Sequence, residues 1–141
     1  MTEYVVDASV GIKWFIPEPY SDAARRMRAR QDLHVPELFS VEVGNALCKR
    51  VRRGDLSLGE AEEIFDDLQE LPLHRHADNG VLPVAFNLAN KSRQSLYDAL
   101  YLALAVMING QLVTADRKLF SALAKGPLRR HLCWVEDIPE S

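Results

Sequence analysis

Short apolar runs rich in β-branched residues recur along this chain, and each is followed by a longer stretch whose apolar positions fall at helical spacing. Tyr4-Val5-Val6 is the first such run and ends at Asp7; residues 9–15 then read as a brief helix halted by Pro17-Glu18-Pro19. Ser21 is placed to cap a helix over 21–30, and 33–35 reads as a second strand. Pro36 should open a long helix that Gly54 ends, because glycine tolerates the left-handed conformation that closes a helix. Ser57-Leu58-Gly59-Glu60 is a capping box for the next helix, which should stop near Pro72. Residues 73–76 predict a third strand and 78–91 a helix. Ser95-Leu96-Tyr97-Asp98 starts another helix that ends before Gly110. A strand at 111–114, a helix at 117–125 closed by Gly126-Pro127, and a last strand at 131–135 complete the series. Strands that alternate with helices are joined by crossovers. The expected fold is therefore α/β, with a central parallel sheet of about four to five strands flanked by helices on both faces.

Composition places this pattern in one ordinary globular domain spanning 1–141. The chain has 141 residues, of which 48% are hydrophobic, enough to form a core without disulfide or metal staples. A net charge of −3 excludes a globally basic nucleic-acid coat. Cys48 and Cys133 lie in no metal-ligand spacing, so both are expected as reduced thiols of a cytoplasmic protein. The N-terminus lacks a basic region followed by an apolar one. The longest apolar run, 96–108, contains Asp98 and falls short of the ~20 residues that span a bilayer, so no membrane partner is expected. The glycines form neither a dinucleotide-binding nor a P-loop pattern. Charge is nonetheless uneven: residues 23–53 carry eight basic side chains against three acids, whereas 55–70 carry seven acids and no base. Such arms are either solvated helix faces or, on the basic side, a rim for phosphates.

Four carboxylates are harder to explain as packing. Asp7 and Asp116 each follow a strand, at the edge where open α/β sheets bind ligands, although an aspartate there also serves as a helix cap. Asp98 is the only charge in an otherwise apolar helix; it must neutralise, find a cation, face a cavity or sit on the helix dipole. Glu42 lies between Val41 and Val43, with Asn45 three residues on along the same face; alone it reads as an ordinary exposed helix glutamate. If the four converge, each pair at ~5 Å and an effective dielectric of ~20 costs roughly 3 kcal/mol, and a divalent cation is the simplest remedy. An all-carboxylate site suits Mg²⁺ or Mn²⁺, and the implied chemistry is metal-assisted phosphodiester hydrolysis.

These residues resemble those of the PIN-domain nucleases, in particular the VapC-type toxins of toxin–antitoxin pairs. Val5-Val6-Asp7-Ala8-Ser9-Val10, with Lys13-Trp14-Phe15, is similar to the family's first strand and turn. Glu42-Val43-Gly44-Asn45-Ala46-Leu47 resembles its second acidic motif, Tyr97-Asp98-Ala99-Leu100-Tyr101-Leu102-Ala103 its third, and Val113-Thr114-Ala115-Asp116 with Leu119 its fourth. The resemblance implies that Asp7, Glu42, Asp98 and Asp116 form the catalytic, metal-binding site. Asp7 and Asp98 would be the principal ligands, with Asp116 completing the site directly or through water. Glu42 would position the attacking water or a second ion, and Ser9, Asn45 and Thr114 would orient the carboxylates. It further implies RNA cleavage, a homodimer and a cognate antitoxin that covers the site. Arg117 and Lys118 stand where some members carry an additional acid, which leaves one metal ion or two open.

Two other functions fit parts of the pattern: a non-catalytic PIN-like module that binds RNA or protein, and a phosphatase acting on small esters. The latter usually has a second aspartate where Ser9 stands. Arg25, Arg26, Arg28 and Arg30, with Lys49, Arg50, Arg52 and Arg53, are candidates for holding an RNA backbone. His74 and His76 share a strand face and form half of a transition-metal site with no further ligand nearby in sequence. Trp14 and Tyr20 are either base-stacking groups or core, and Cys133-Trp134 reads as core.

Overall fold

The computed structural model describes residues 2–30 and 32–139. Five strands, β1 (Tyr4–Val6), β2 (Leu33–Pro36), β3 (His74–His76), β4 (Gln111–Thr114) and β5 (Leu132–Trp134), form one parallel sheet in the order β3-β2-β1-β4-β5. Successive strand residues point to opposite faces, and every residue of β1 and all of β4 beyond Gln111 are buried, so both faces of the sheet centre are covered. Seven helices provide the cover: α1 (Ala8–Gly11), α2 (Ser21–Met27), α3 (Leu38–Arg53), α4 (Leu58–Glu70), α5 (Asp78–Ser92), α6 (Leu96–Met107) and α7 (Arg117–Leu123). The α6 helix packs across β1, β2 and β4, and its residues from Ala99 to Ala105 are all buried.

Several predicted boundaries shift, each for a local reason. Ser21 does not cap α2. Its hydroxyl donates to the Ile16 carbonyl and accepts from the Glu18 N–H, while Tyr20, at φ 71°, forms the turn into a helix that stops at Met27. Pro36 ends β2 instead of opening α3, which begins at Leu38, because Glu37 donates its backbone N–H to His76 of the next strand. The first helix begins at Ala8, one residue earlier than expected, because Asp7 caps it. Pro127 opens a short 3-10 turn (Pro127–His131) that absorbs the start of the expected last strand. Gly54 at φ 83° closes α3, and the Ser57–Glu60 capping box forms with both bonds in place.

The edge strand β3 holds the histidines. His34 on β2, which the sequence reading left out, meets them: its Nδ1 lies 2.8 Å from His76 Nε2, its ring stacks on His74, and its Nε2 lies 2.9 Å from Glu3. Trp14 is core, with its indole N–H on the Ala24 carbonyl, so the base-stacking reading fails for it. Tyr20 instead packs edge-on against Trp134. Cys48 is exposed, Cys133 is buried, and both are free thiols.

Candidate active site

The strand order reverses between β1 and β4, because the chain runs outward from β1 to β3 on one side and from β4 to β5 on the other. A crevice opens outside the carboxyl ends of strands at such a point. Asp7 follows β1 and Asp116 lies two residues beyond β4, at that edge. A cleft of about 340 Å³ there is lined by Asp7, Ser9, Glu42, Asn45, Lys49, Asp98, Tyr101 and Asp116, with Ala8, Ile12 and Ala46 as its apolar wall. All four carboxylates singled out in the sequence therefore line one cleft, although three other segments separate them along the chain.

Local geometry explains how each arrives. Asp7 caps α1: its Oδ1 accepts the Val10 N–H at 3.2 Å and the Ser9 hydroxyl at 2.5 Å. Ser9 Oγ in turn accepts the Ala115 N–H at 3.0 Å and lies 3.5 Å from Thr114 Oγ1, tying the ends of β1 and β4 together. Thr114, fully buried, accepts the Asp116 N–H at 3.0 Å. Asp116 caps α7 through Oδ1, which accepts the Leu119 N–H at 3.1 Å. Capping and facing the cleft are thus compatible at both aspartates. Ser95 caps α6 by accepting the Asp98 N–H, which places Asp98 in the first turn, half-buried. Glu42 comes from α3, which α1 approaches so closely that a Cβ on Gly11 would lie 2.5 Å from the Phe39 ring. Tyr101, three residues after Asp98 on α6, donates its hydroxyl to Glu42 Oε1 at 2.6 Å.

The electrostatics are those of crowded acids, of which Asp7 is buried, Glu42 and Asp98 are half-buried and Asp116 is exposed. Burial, opposed by hydrogen bonds from Ser9, Thr114 and Val10 and reinforced by the charge of Asp98, raises the Asp7 carboxyl to about 6. Burial and the charge of Asp98 raise Glu42, and burial and the charge of Asp116 raise Asp98. Burial and the neighbouring Glu42 push the Tyr101 phenol upward, so it stays a protonated donor. The donor set is entirely oxygen, and its like charges bias one another toward protonation; a hard divalent cation would relieve both conditions. Among the described residues no group of three or more His, Cys, Asp or Glu side chains is already drawn up as a metal cage.

A family model for the PIN domain matches residues 4–126. The chain belongs to the PIN-domain family. Among curated relatives, Ribonuclease VapC3 of Pyrobaculum aerophilum is 42% identical over 120 residues, which cover 82% of this PIN-domain chain and 90% of that protein. Ribonuclease VapC3 of Mycobacterium tuberculosis is 32% identical over 121 residues, 85% and 87% of the two chains. A crystal structure of a Pyrobaculum aerophilum protein superposes with a TM-score of 0.71 at 26% identity, covering 96% of this chain and 85% of that one. A toxin–antitoxin complex from Klebsiella pneumoniae shares the fold, with a TM-score of 0.69 at 16% identity, over 96% of this PIN domain and all of that chain.

The sequence reading missed Tyr101 as a partner of Glu42, although it stands inside the quoted third motif. The signal was its spacing, since residues three apart on a helix share a face. It also treated Lys49 as one of a basic run, whereas the structure turns Lys49 alone of that run into the acidic cleft. No helix among the described residues is long and apolar enough to cross a membrane.

Proposed function

We propose that this PIN-domain chain is a metal-dependent endoribonuclease, the toxin of a toxin–antitoxin pair, acting in the cytoplasm as a homodimer. The observation that carries the reading is the convergence of Asp7, Glu42, Asp98 and Asp116 on one cleft at the switch point of the sheet. The names of the curated relatives, VapC ribonucleases over most of their length, point the same way. Asp7, Asp98 and Asp116, with Glu42, would hold Mg²⁺ or Mn²⁺. Once bound, the cation supplies an acidified water and neutralises charge developing on the phosphoryl oxygens.

The chain's own residues perform the remaining tasks. Ser9 and Thr114 hold Asp7 and the β4 end in register, and Asn45 lines the wall beside Glu42. Glu42, fixed through one oxygen by Tyr101, has its other oxygen to orient a water and accept its proton. The antitoxin acts by covering this cleft.

The test is cleavage of total cellular RNA by the purified, antitoxin-free chain beside Asp98→Asn, with Mg²⁺, Mn²⁺ or EDTA. Discrete fragments that require the metal and vanish in the variant are expected. Intact RNA in every lane, with metal binding present, would leave a binding module in place of an enzyme.

A further inference from the structure

Resting on the ribonuclease reading, we propose that Arg117 and Arg129, each laid on an aromatic ring beside β5, form a stacking platform for unpaired bases of the RNA outside the cleft. The acidic cleft takes the phosphate that is cut, and the strand that carries it extends beyond. Eight basic residues between 23 and 53 were candidates for holding that strand, and the structure commits half of them elsewhere. Arg28 donates to the Trp14 carbonyl, Arg30 grips Asp32, Arg50 is bonded to Glu18, and Arg53 lies 3.0 Å from Asp55. A second basic stretch is not spent in this way. Residues 117–131 hold five Lys or Arg and no acid, in a chain whose net charge is −3. Among the described residues, none of these five is drawn into an ion pair. Arg117 is the first residue of α7, the helix that the cleft-lining Asp116 caps, so the stretch begins next to the site in the chain.

Aromatic rings fix two of the five. The Arg117 guanidinium sits over the Trp134 ring, 3.9 Å from its centre, and that of Arg129 over the Phe120 ring at 5.2 Å. The two rings meet at 5.7 Å between centres, so the arginines stand on adjoining supports. Tyr20, which the sequence offered as a base-stacking group, is 40% exposed and packs edge-on against Trp134 at 5.2 Å, adding a third ring to the patch. Trp134 is only 5% exposed whereas Arg117 is exposed, so the arginine helps to cover the ring and itself meets water. The supports are anchored: the Trp134 indole N–H donates to Glu136 at 2.9 Å, and Arg129 donates to the Leu132 carbonyl at 3.3 Å. Side chains held in place before a ligand arrives lose less freedom when it binds. A guanidinium is planar as well as charged, and unpaired RNA bases stack on such planes. An acidic peptide would use the charge alone, so the pairing of cation with ring favours RNA.

The experiment measures fluorescence anisotropy of a labelled oligoadenylate, and of an abasic strand of equal length, over a salt series. The full chain carries Asp98→Asn, which keeps bound RNA intact. Arg117→Met and Arg129→Met are each expected to weaken oligoadenylate binding about tenfold. Each also removes one cation, so the slope of log affinity against log salt should flatten by about 0.7. Arg117→Lys and Arg129→Lys should restore the slope but not the affinity for oligoadenylate, and the abasic strand should not distinguish Lys from Arg. Melting curves should show every variant folded, and Lys91→Met, which removes an equal charge from the end of α5, should change neither quantity. Lys variants that bind oligoadenylate as tightly as the arginines would overturn stacking. Arginine-dependent binding of polyglutamate, with none for RNA, would give the patch to an acidic protein segment and overturn the proposal. Wild-type chain that cleaves RNA while both Met variants bind it unchanged would overturn the platform and leave the ribonuclease standing. Wild-type chain that neither cleaves nor binds RNA would overturn both.

Discussion

Replacing Asp7 by asparagine should make the metal-free protein more stable at neutral pH, even though it should abolish activity. The carboxyl rises from an ordinary 3.8 to about 6 on folding, chiefly through burial. At 1.36 kcal/mol per pH unit, carrying this charge costs the folded state about 3 kcal/mol once it is ionised. Below pH 3.8 both folded and unfolded chains hold the proton and nothing is lost. Between 3.8 and about 6 the unfolded chain releases it first, so stability falls as pH rises, and above about 6 the full penalty applies. Asparagine keeps the shape, and its Oδ1 can still accept from Ser9 and Val10, so the cap survives. Urea unfolding in EDTA should show the variant ahead of wild type by ~1–3 kcal/mol at pH 7.5, with the gap about 2 kcal/mol narrower at pH 4.5. A gap that does not change with pH, or a variant less stable throughout, would refute the assignment of a buried, uncompensated charge to Asp7.

Tyr101→Phe removes the hydrogen bond that holds Glu42 in its charged form; the acid limb of the cleavage pH profile should move to higher pH, at a cost to folding of about 1 kcal/mol by urea titration. Asp116→Asn and Asp116→Ala should both lose cleavage, yet only the alanine should lose the α7 cap, about 1 kcal/mol in the same titration. Gly11→Ala forces a methyl group against the buried Phe39 ring and should destabilise by about 1–3 kcal/mol, read as a lower melting temperature. Transfer from EDTA to excess Mg²⁺ should raise the melting temperature of wild type more than that of Asp7→Asn, seen by differential scanning fluorimetry.

The fold was legible because its signals are local. Alternating strands and helices, the Ser57 and Ser95 caps and the Gly54 stop act within a few residues, and they formed where the sequence placed them. The misplaced boundaries, at Ser21, Pro36 and residue 131, are those where a distant or loop partner captured the backbone or side chain. The four acids stood out because a carboxylate at a strand end or in an apolar helix lacks a packing reason. Pairs made across the fold left no periodic trace: Tyr101 with Glu42, Ser9 with Thr114, and His34 with His76 are 59, 105 and 42 residues apart. The same holds for Arg50, whose pairing with Glu18, 32 residues away, leaves it outside the acidic cleft.

The central position of β1 has a consequence for the chain as it is made. Its three residues must wait for β4 before they gain their second neighbour, and the cleft lacks one wall until Asp116 has been added. A ribosome adding ~5–20 residues per second needs several seconds to travel from Asp7 to Asp116. Throughout that interval the nascent polypeptide carries acids without a site. The cleft is therefore incomplete while the chain is still being made, and a chain cut short before β4 lacks both Asp116 and one wall of the site.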